Sequence, residues 1–260
     1  MNEYVIRGEK MKVLDIYKII NQMAPVELAL SYDNPGILLG DPDKEVTKAI
    51  VCLDATKTAV KTAVEQNAQL IITHHPIIFD PIKSVVKQSG NLVYECLANG
   101  ISVISMHTNL DSCIGGVNDC LANALELENI TTVTDEDAFS FRKGDLKEPM
   151  SADNLAIFVK ERLGGNVRYV SGKEPIKTVC VCGGAGGSLL PLAMENADAF
   201  ITADVKHNVF IEADSKDFTL LDAGHFHTEN VVVNPLADFL GSKINNVEFI
   251  AFNGKEIKTV

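Results

Sequence analysis

The chain has 260 residues, enough for one large domain or two ordinary ones with separate cores. With 46% hydrophobic and 22% charged residues it reads as a soluble globular protein and not as a disordered or membrane-embedded one. A formal net charge of -12 argues against nucleic-acid backbones as partners, since these need a surplus of Lys and Arg.

The N-terminal MNEYVIRGEK lacks the apolar centre of a signal peptide, and no apolar run is long enough for a membrane span, so no membrane partner and a cytoplasmic location are expected. Residues 1–10 read as an extension outside the core. From Met11, MKVLDIYKIINQMAP spaces Val13, Leu14, Tyr17 and Ile20 along one helical face and stops at Pro25. SYDNPGILLGDPD then puts turn chemistry on both sides of a short apolar ILL, with Asp33 and Asn34 suited to an Asx-turn.

A regular alternation of buried strand and helix follows, the pattern of parallel α/β units. KAIVCLD reads as a strand, TKTAVKTAVEQN as a helix, QLIIT as a strand, NLVYECLAN as a helix, ISVISM as a strand and GVNDCLANALEL as a helix. The polar TDEDAFSFRKGDLKEPM is the expected interdomain connection. Beyond it SADNLAIFVKERLG is a helix with a serine cap, NVRYV and IKTVCVCGG are strands, and GGSLLPLAMENA is a helix. DAFITAD and FTLLDAGH are strands, TENVVVNPLADFLGSK a helix and VEFIAF a closing strand.

The second half repeats the first. A shift of 129 positions lays KAIVCLDATKTAVKTAVEQNAQLIIT over KTVCVCGGAGGSLLPLAMENADAFIT without a gap, pairing Lys48 with Lys177, Asn67 with Asn196 and Thr73 with Thr202. In addition ISVISM runs into HTNLD and FTLLDAG into HFHTE, so each half closes a strand with a histidine followed four residues later by a carboxylate. The expected fold is therefore α/β, two similar three-layer α/β domains related by internal duplication. Residues 11–130, joined by 230–260, form the first and residues 131–229 the second. Ligands of open α/β sheets bind at strand carboxyl ends, which places a site there, between the domains.

The six histidines gather at those ends: His74 and His75 at one, His107 at another, His225 and His227 at a third, and His207 just past a fourth. Adjacent strand residues face opposite ways, and Pro76 keeps His75 extended. Hence His74 and His75 suit two neighbouring ions better than one. Carboxylates bridge ions where imidazole cannot, and Asp111 and Glu229 are the candidates. The six cysteines, with no CxxC pair, are expected to be reduced core thiols. CVCGGAGGSLL reads either as a phosphate-cradling loop or as tight strand-to-helix packing, and it lacks the GxGxxG and GxxxxGK[ST] patterns.

SYDNPGILLG, THHP, HTNLD, CGGAGG, ITADVKH and GHFHTE, in this order from about Met11 to the end, resemble the Nif-three-like dinuclear metal-centre family, often labelled GTP cyclohydrolase I type 2 homologues. The resemblance implies two divalent metal ions (zinc, iron or manganese) held by His74, His75, Asp111, His225 and Glu229, with Glu229 bridging. His74 and Asp111 would take one ion, His75 and His225 the other. It makes His107, a histidine beside the site, the candidate for supporting the metal ligands from behind or for acid–base work, and implies a homohexameric ring. Tyr32 stands where the family commonly has Trp, and His227 lies between two implied ligands as a competing one. The function implied is hydrolysis of a small-molecule substrate, a nucleotide or related heterocycle; the alternative is a metal-binding or metal-handling scaffold without turnover.

Overall fold

The computed structural model describes residues 10–88 and 90–255, so the expected N-terminal extension lies outside the described residues except for Lys10. In chain order the first elements are α1 (Val13–Met23), β1 (Gly36–Leu39), β2 (Lys48–Cys52), α2 (Lys57–Glu65), β3 (Leu70–Thr73), α3 (Leu92–Ala98), β4 (Ser102–Ser105) and α4 (Thr108–Ser112). Next come α5 (Val117–Ala124), β5 (Glu128–Thr134), β6 (Ser140–Met150), α6 (Ala152–Leu163), β7 (Arg168–Val170) and β8 (Ile176–Val181). The chain closes with α7 (Leu190–Asn196), β9 (Ala199–Thr202), α8 (His207–Ser215), β10 (Thr219–Asp222), α9 (His225–Glu229), α10 (Val233–Lys243) and β11 (Glu248–Phe252).

Two compact units result. Among the described residues the first takes the chain up to Cys113 together with Val233–Lys255, and the second is Ile114–Val232. The first unit's sheet runs β1-β4-β3-β2-β11, with β4, β3, β2 and β11 parallel and β1 antiparallel at the edge. Every residue of β3 and β4 is buried, the mark of parallel strands covered on both faces. Ile50, Ile71, Val103, Val60 and Cys96 pack into its core. Each such aliphatic side chain contributes roughly 1.5–3 kcal/mol on leaving water.

The second unit's sheet runs β5-β6-β8-β9-β10-β7. Its β8, β9 and β10 are parallel, and β7 is antiparallel beside β10 as β1 is beside β4. The same βαβαβ order and the same antiparallel edge strand thus recur, as internal duplication requires. The helix starts are written in the sequence: Thr56 Oγ1, Asn91 Oδ1 and Ser151 Oγ accept from the N–H groups of Ala59, Tyr94 and Asn154.

Three expectations are corrected. The segment 134–150 is not a connection: Ser140–Met150 is β6, paired to β5 and β8. Its polarity hides an inward Phe141 and a buried Arg142, whose guanidinium makes two hydrogen bonds to Asp119 at 2.6 and 3.0 Å. The units divide after Cys113, not at residue 130, because α5 lays Leu121 and Ala122 into a core with Leu155, Val179 and Ile201. Helix α8 was not expected; only Phe210 and Ala213 are buried on it, too thin an apolar stripe to read by periodicity.

Candidate metal centre

In the first unit the parallel strands β2, β3 and β4 deliver their carboxyl ends side by side, and the chemistry sits one or two residues past each end. From β3 come His74 and His75, from β4 His107, and from β2 Asp54. The rings of His74, His75 and His107 lie with centroids 4.9, 5.3 and 5.8 Å apart. One ligand nitrogen from each falls within 4.8 Å of the others, a spacing that suits a metal ion.

The two adjacent histidines are tied to opposite neighbours. His74 Nδ1 lies 2.9 Å from the Met106 carbonyl, on the β4 side, and His75 Nδ1 lies 2.7 Å from Asp54 Oδ1, on the β2 side. A carbonyl oxygen only accepts, as does an ionised carboxylate, so both Nδ1 atoms carry hydrogen and donate. In the neutral rings the lone pairs are then on Nε2, the metal-binding tautomer. His74 Nε2 faces Asp111 Oδ1 at 3.6 Å, with both side chains nearly buried. This spacing lets one cation reach an imidazole nitrogen and a carboxylate oxygen together.

His107 caps α4, and its Nδ1 donates to Asp33 Oδ1 at 2.7 Å. Asp33 Oδ2 accepts from the Thr108 N–H at 2.9 Å and from the Thr108 hydroxyl. Burial pushes the Asp33 carboxyl up, but the hydrogen bonds from His107 and Thr108 outweigh it and hold its pKa at about 2. Asn34 Nδ2 donates to the Ile78 carbonyl at 2.7 Å, pinning the segment that follows His75. The DNPG turn therefore does more than reverse the chain. It fixes one imidazole and steadies the loop behind another.

In the second unit β9 and β10 supply the chemistry. His225 opens α9, and Glu229 follows one helical turn later, bringing His225 Nε2 to 2.9 Å from Glu229 Oε2. The imidazole's Nδ1 donates to Asp204 Oδ2 at 2.7 Å, so this ring is held as His75 is held. The glycine loop makes room for the carboxylate. Gly184 has φ +63°, and a Cβ on it would come within 2.1 Å of Glu229 Oε1 and 3.3 Å of His225 Nε2. The N–H groups of Gly183 and Gly184 donate to Asn118 Oδ1 at 2.8 Å and Thr228 Oγ1 at 3.1 Å. Of the two readings of CGGAGG, packing is the one realised: these N–H groups are spent inside the unit and do not cradle a phosphate.

His227 does not join this set. Its Nδ1 is 3.1 Å from the Leu163 carbonyl at the end of α6, and its ring fills the space above Gly164 and Gly165. His207 is the first residue of α8 and is exposed. The cysteines are free thiols, five of them buried, and burial pushes Cys96 and Cys120 up to about 11 and Cys180 to about 12. The holds of Asp54 and Asp204 on the site's imidazoles, and that of Asp33, read in the sequence only as a turn residue, are contacts that pattern reading did not reach. A signal for two of them exists: Asp54 and Asp204 each stand two residues past a strand end and 21 residues before their histidine.

Comparison with known proteins gives a family and a fold. The model of the Duf34/NIF3 (NGG1p interacting factor 3) family matches residues 11–256. A curated relative from Clostridium perfringens, called "GTP cyclohydrolase 1 type 2 homolog", is 32% identical over 95% of this chain and 98% of its own. Among solved structures, a hypothetical protein of Staphylococcus aureus superposes with a TM-score of 0.87 at 26% identity, covering 97% of this chain and all of that one. Reduced HcgD from Methanocaldococcus jannaschii gives 0.80 at 30% identity over 94% and 98% of the two chains. Among the described residues no helix is long and apolar enough to cross a membrane.

Proposed function

The chain belongs to the Duf34/NIF3 family, and from that membership and the two histidine–carboxylate sets we propose that it holds two divalent metal ions and hydrolyses a nucleotide or a related heterocycle. His74 and Asp111 are assigned to one ion and His75 and His225 to the other, with Glu229 bridging. Carrying most weight is the way the imidazoles are held. Nδ1 of His74, His75 and His225 is engaged by a carbonyl or a carboxylate, so Nε2, which faces Asp111 in His74 and Glu229 in His225, is the ring atom an ion would take. The donor chemistry fits, since imidazole nitrogen and carboxylate oxygen together suit zinc, iron or manganese.

Two bound divalent ions would supply positive charge that polarises an electrophile and acidifies water. The chain's own residues do the rest. Asp33 keeps hydrogen on His107 Nδ1 and fixes the ring, so Nε2 takes up a proton during the reaction and returns it to the leaving group. The loop behind His75, pinned by Asn34, sets the wall beside that ring: Phe79 meets the His107 imidazole edge-on with centroids 6.1 Å apart. The printed name of the Clostridium perfringens relative makes GTP the first compound to assay. A homohexameric ring in the cytoplasm is part of the same proposal.

The test is to count zinc, iron and manganese per chain in native protein and in His75→Ala and Glu229→Ala variants, then assay loaded protein against GTP and a nucleotide panel. Two ions per native chain, fewer in each variant, and turnover only when loaded are expected. A native chain retaining no first-row metal after loading would sink the site. Full occupancy with no turnover would leave a metal-binding scaffold in place of the hydrolase.

A further inference from the structure

The two units share their βαβαβ order but differ in one connection. In the second, β9 reaches α8 through residues 203–206. The equivalent step in the first, from β3 to α3, takes residues 74–91, far more chain than the crossover needs and more than is usual inside a compact domain. Within it Phe79, Ile82, Val85 and Val86 are all exposed, and such a run of large apolar side chains left in water is the mark of a binding surface. The segment is anchored where it leaves the strand end. Ile77 and Ile78 pack on the core, and the Ile78 carbonyl accepts from Asn34 Nδ2 at 2.7 Å. Asp33, the neighbour of Asn34, holds His107. One turn thus sets both the imidazole and the phenyl ring that follows Ile78.

We propose that Phe79 is a specificity-determining residue that stacks the planar heterocycle of the substrate beside His107. The inference rests on the nucleotide or heterocycle reading above and deepens it. The Phe79 and His107 rings are perpendicular, with centroids 6.1 Å apart, so their contact is edge to face and leaves at least one face of the phenyl ring unused. Phe79 is 46% exposed, the state a stacking platform needs before its ligand arrives. A heteroaromatic ring laid on it buries apolar surface on both partners, keeps its polar rim free to hydrogen-bond, and stands next to the imidazole proposed to carry the proton. Ions and carboxylates select the charged and electrophilic parts of a substrate. A flat ring is selected by an aromatic face, and Phe79 supplies one.

The chain has no tryptophan, so Phe79→Trp gives a full-length protein with a single indole at this position and a stacking face still in place. Guanosine is expected to quench the fluorescence of the zinc-loaded variant, and inorganic tripolyphosphate, which has no ring, to leave it unchanged. Equilibrium dialysis supplies the second measurement. Native and Phe79→Tyr protein should bind GTP alike, whereas Phe79→Leu, which keeps apolar bulk and loses the π face, should bind it about 10-fold more weakly. Zinc content and melting temperature should match in all of them, which separates stacking from support of the loop or of His107. An indole blind to guanosine in a protein that binds GTP, native GTP affinity in Phe79→Leu, or an equal loss of GTP and tripolyphosphate affinity in that variant would overturn the proposal and leave the nucleotide reading standing. Failure of the native chain to bind GTP, guanosine or any of a panel of nucleotides and free nucleobases would overturn both.

Discussion

Asp33 and His107 are 74 residues apart in the chain and 2.7 Å apart in the fold, the carboxylate inaccessible and its partner imidazole at the mouth of the site. The carboxyl, held at about 2 against an ordinary 3.8, makes a definite prediction about pH. Because the folded-state pKa is the lower one, the stabilisation is fully present above 3.8 and is lost as pH falls through about 2. It amounts to about 2 kcal/mol near neutrality and shrinks by roughly half by pH 3. Urea midpoints of native and Asp33→Asn protein should therefore differ clearly at pH 7 and converge toward pH 3. A gap independent of pH would mean that Asp33 acts through shape and not through charge.

Gly184 leads to a second prediction. With φ +63° and Glu229 Oε1 in the way of any Cβ, Gly184→Ala meets both a backbone strain of roughly 1 kcal/mol and a collision that Glu229 can relieve only by moving. Melting temperature should fall by a few degrees, while bound metal per chain should fall much further. Gly187, whose Cβ would meet nothing nearer than Val209 Cγ1 at 4.0 Å, is the matched control, and Gly187→Ala should retain metal. Equal metal content in the two variants would remove the glycine loop from the site.

Arg142 and Asp119 supply a third. Removing one partner of a buried ion pair leaves the other uncompensated, so Arg142→Met should destabilise by about 3 kcal/mol. Replacing both, as in Arg142→Met with Asp119→Leu, should cost less than the sum of the single changes by about 1–3 kcal/mol. Denaturant titration of the four proteins closes the cycle, and strict additivity would show that the pair is not coupled.

These cases also show what the sequence could disclose. The positions of His74, His75, His107 and the HxxxD and HxxxE elements were legible because parallel strands of one sheet end together, LIIT with SVIS in the first unit and AFIT with TLLD in the second, and the residues that follow share that sheet's edge. Asp33, Asp54 and Asp204 were not, because their partners lie 74, 21 and 21 residues away and no periodicity links an acid to a distant imidazole. Strand β6 was missed for a different reason. Its Arg142 counts as polar by composition, and only the facing Asp119 makes it an interior residue.

The last prediction concerns the stability a metal confers. His74 Nε2 and Asp111 Oδ1 are both nearly buried and 3.6 Å apart, close enough for one cation to contact both. Binding to the folded chain alone stabilises it by mass action, about 2.7 kcal/mol when free ion stands at 100 times Kd. For a chain of this size that corresponds to a rise in melting temperature of about 5–10 °C on loading. Asp111→Asn preserves the shape of the side chain and removes the charge that attracts the ion. Its metal-free melting temperature should lie within a few degrees of native, whereas most of the metal-dependent increment should vanish. Were the variant to gain as much from zinc or manganese as the native chain, Asp111 would have no part in holding the ion, and the His74 position would have to be built from other donors.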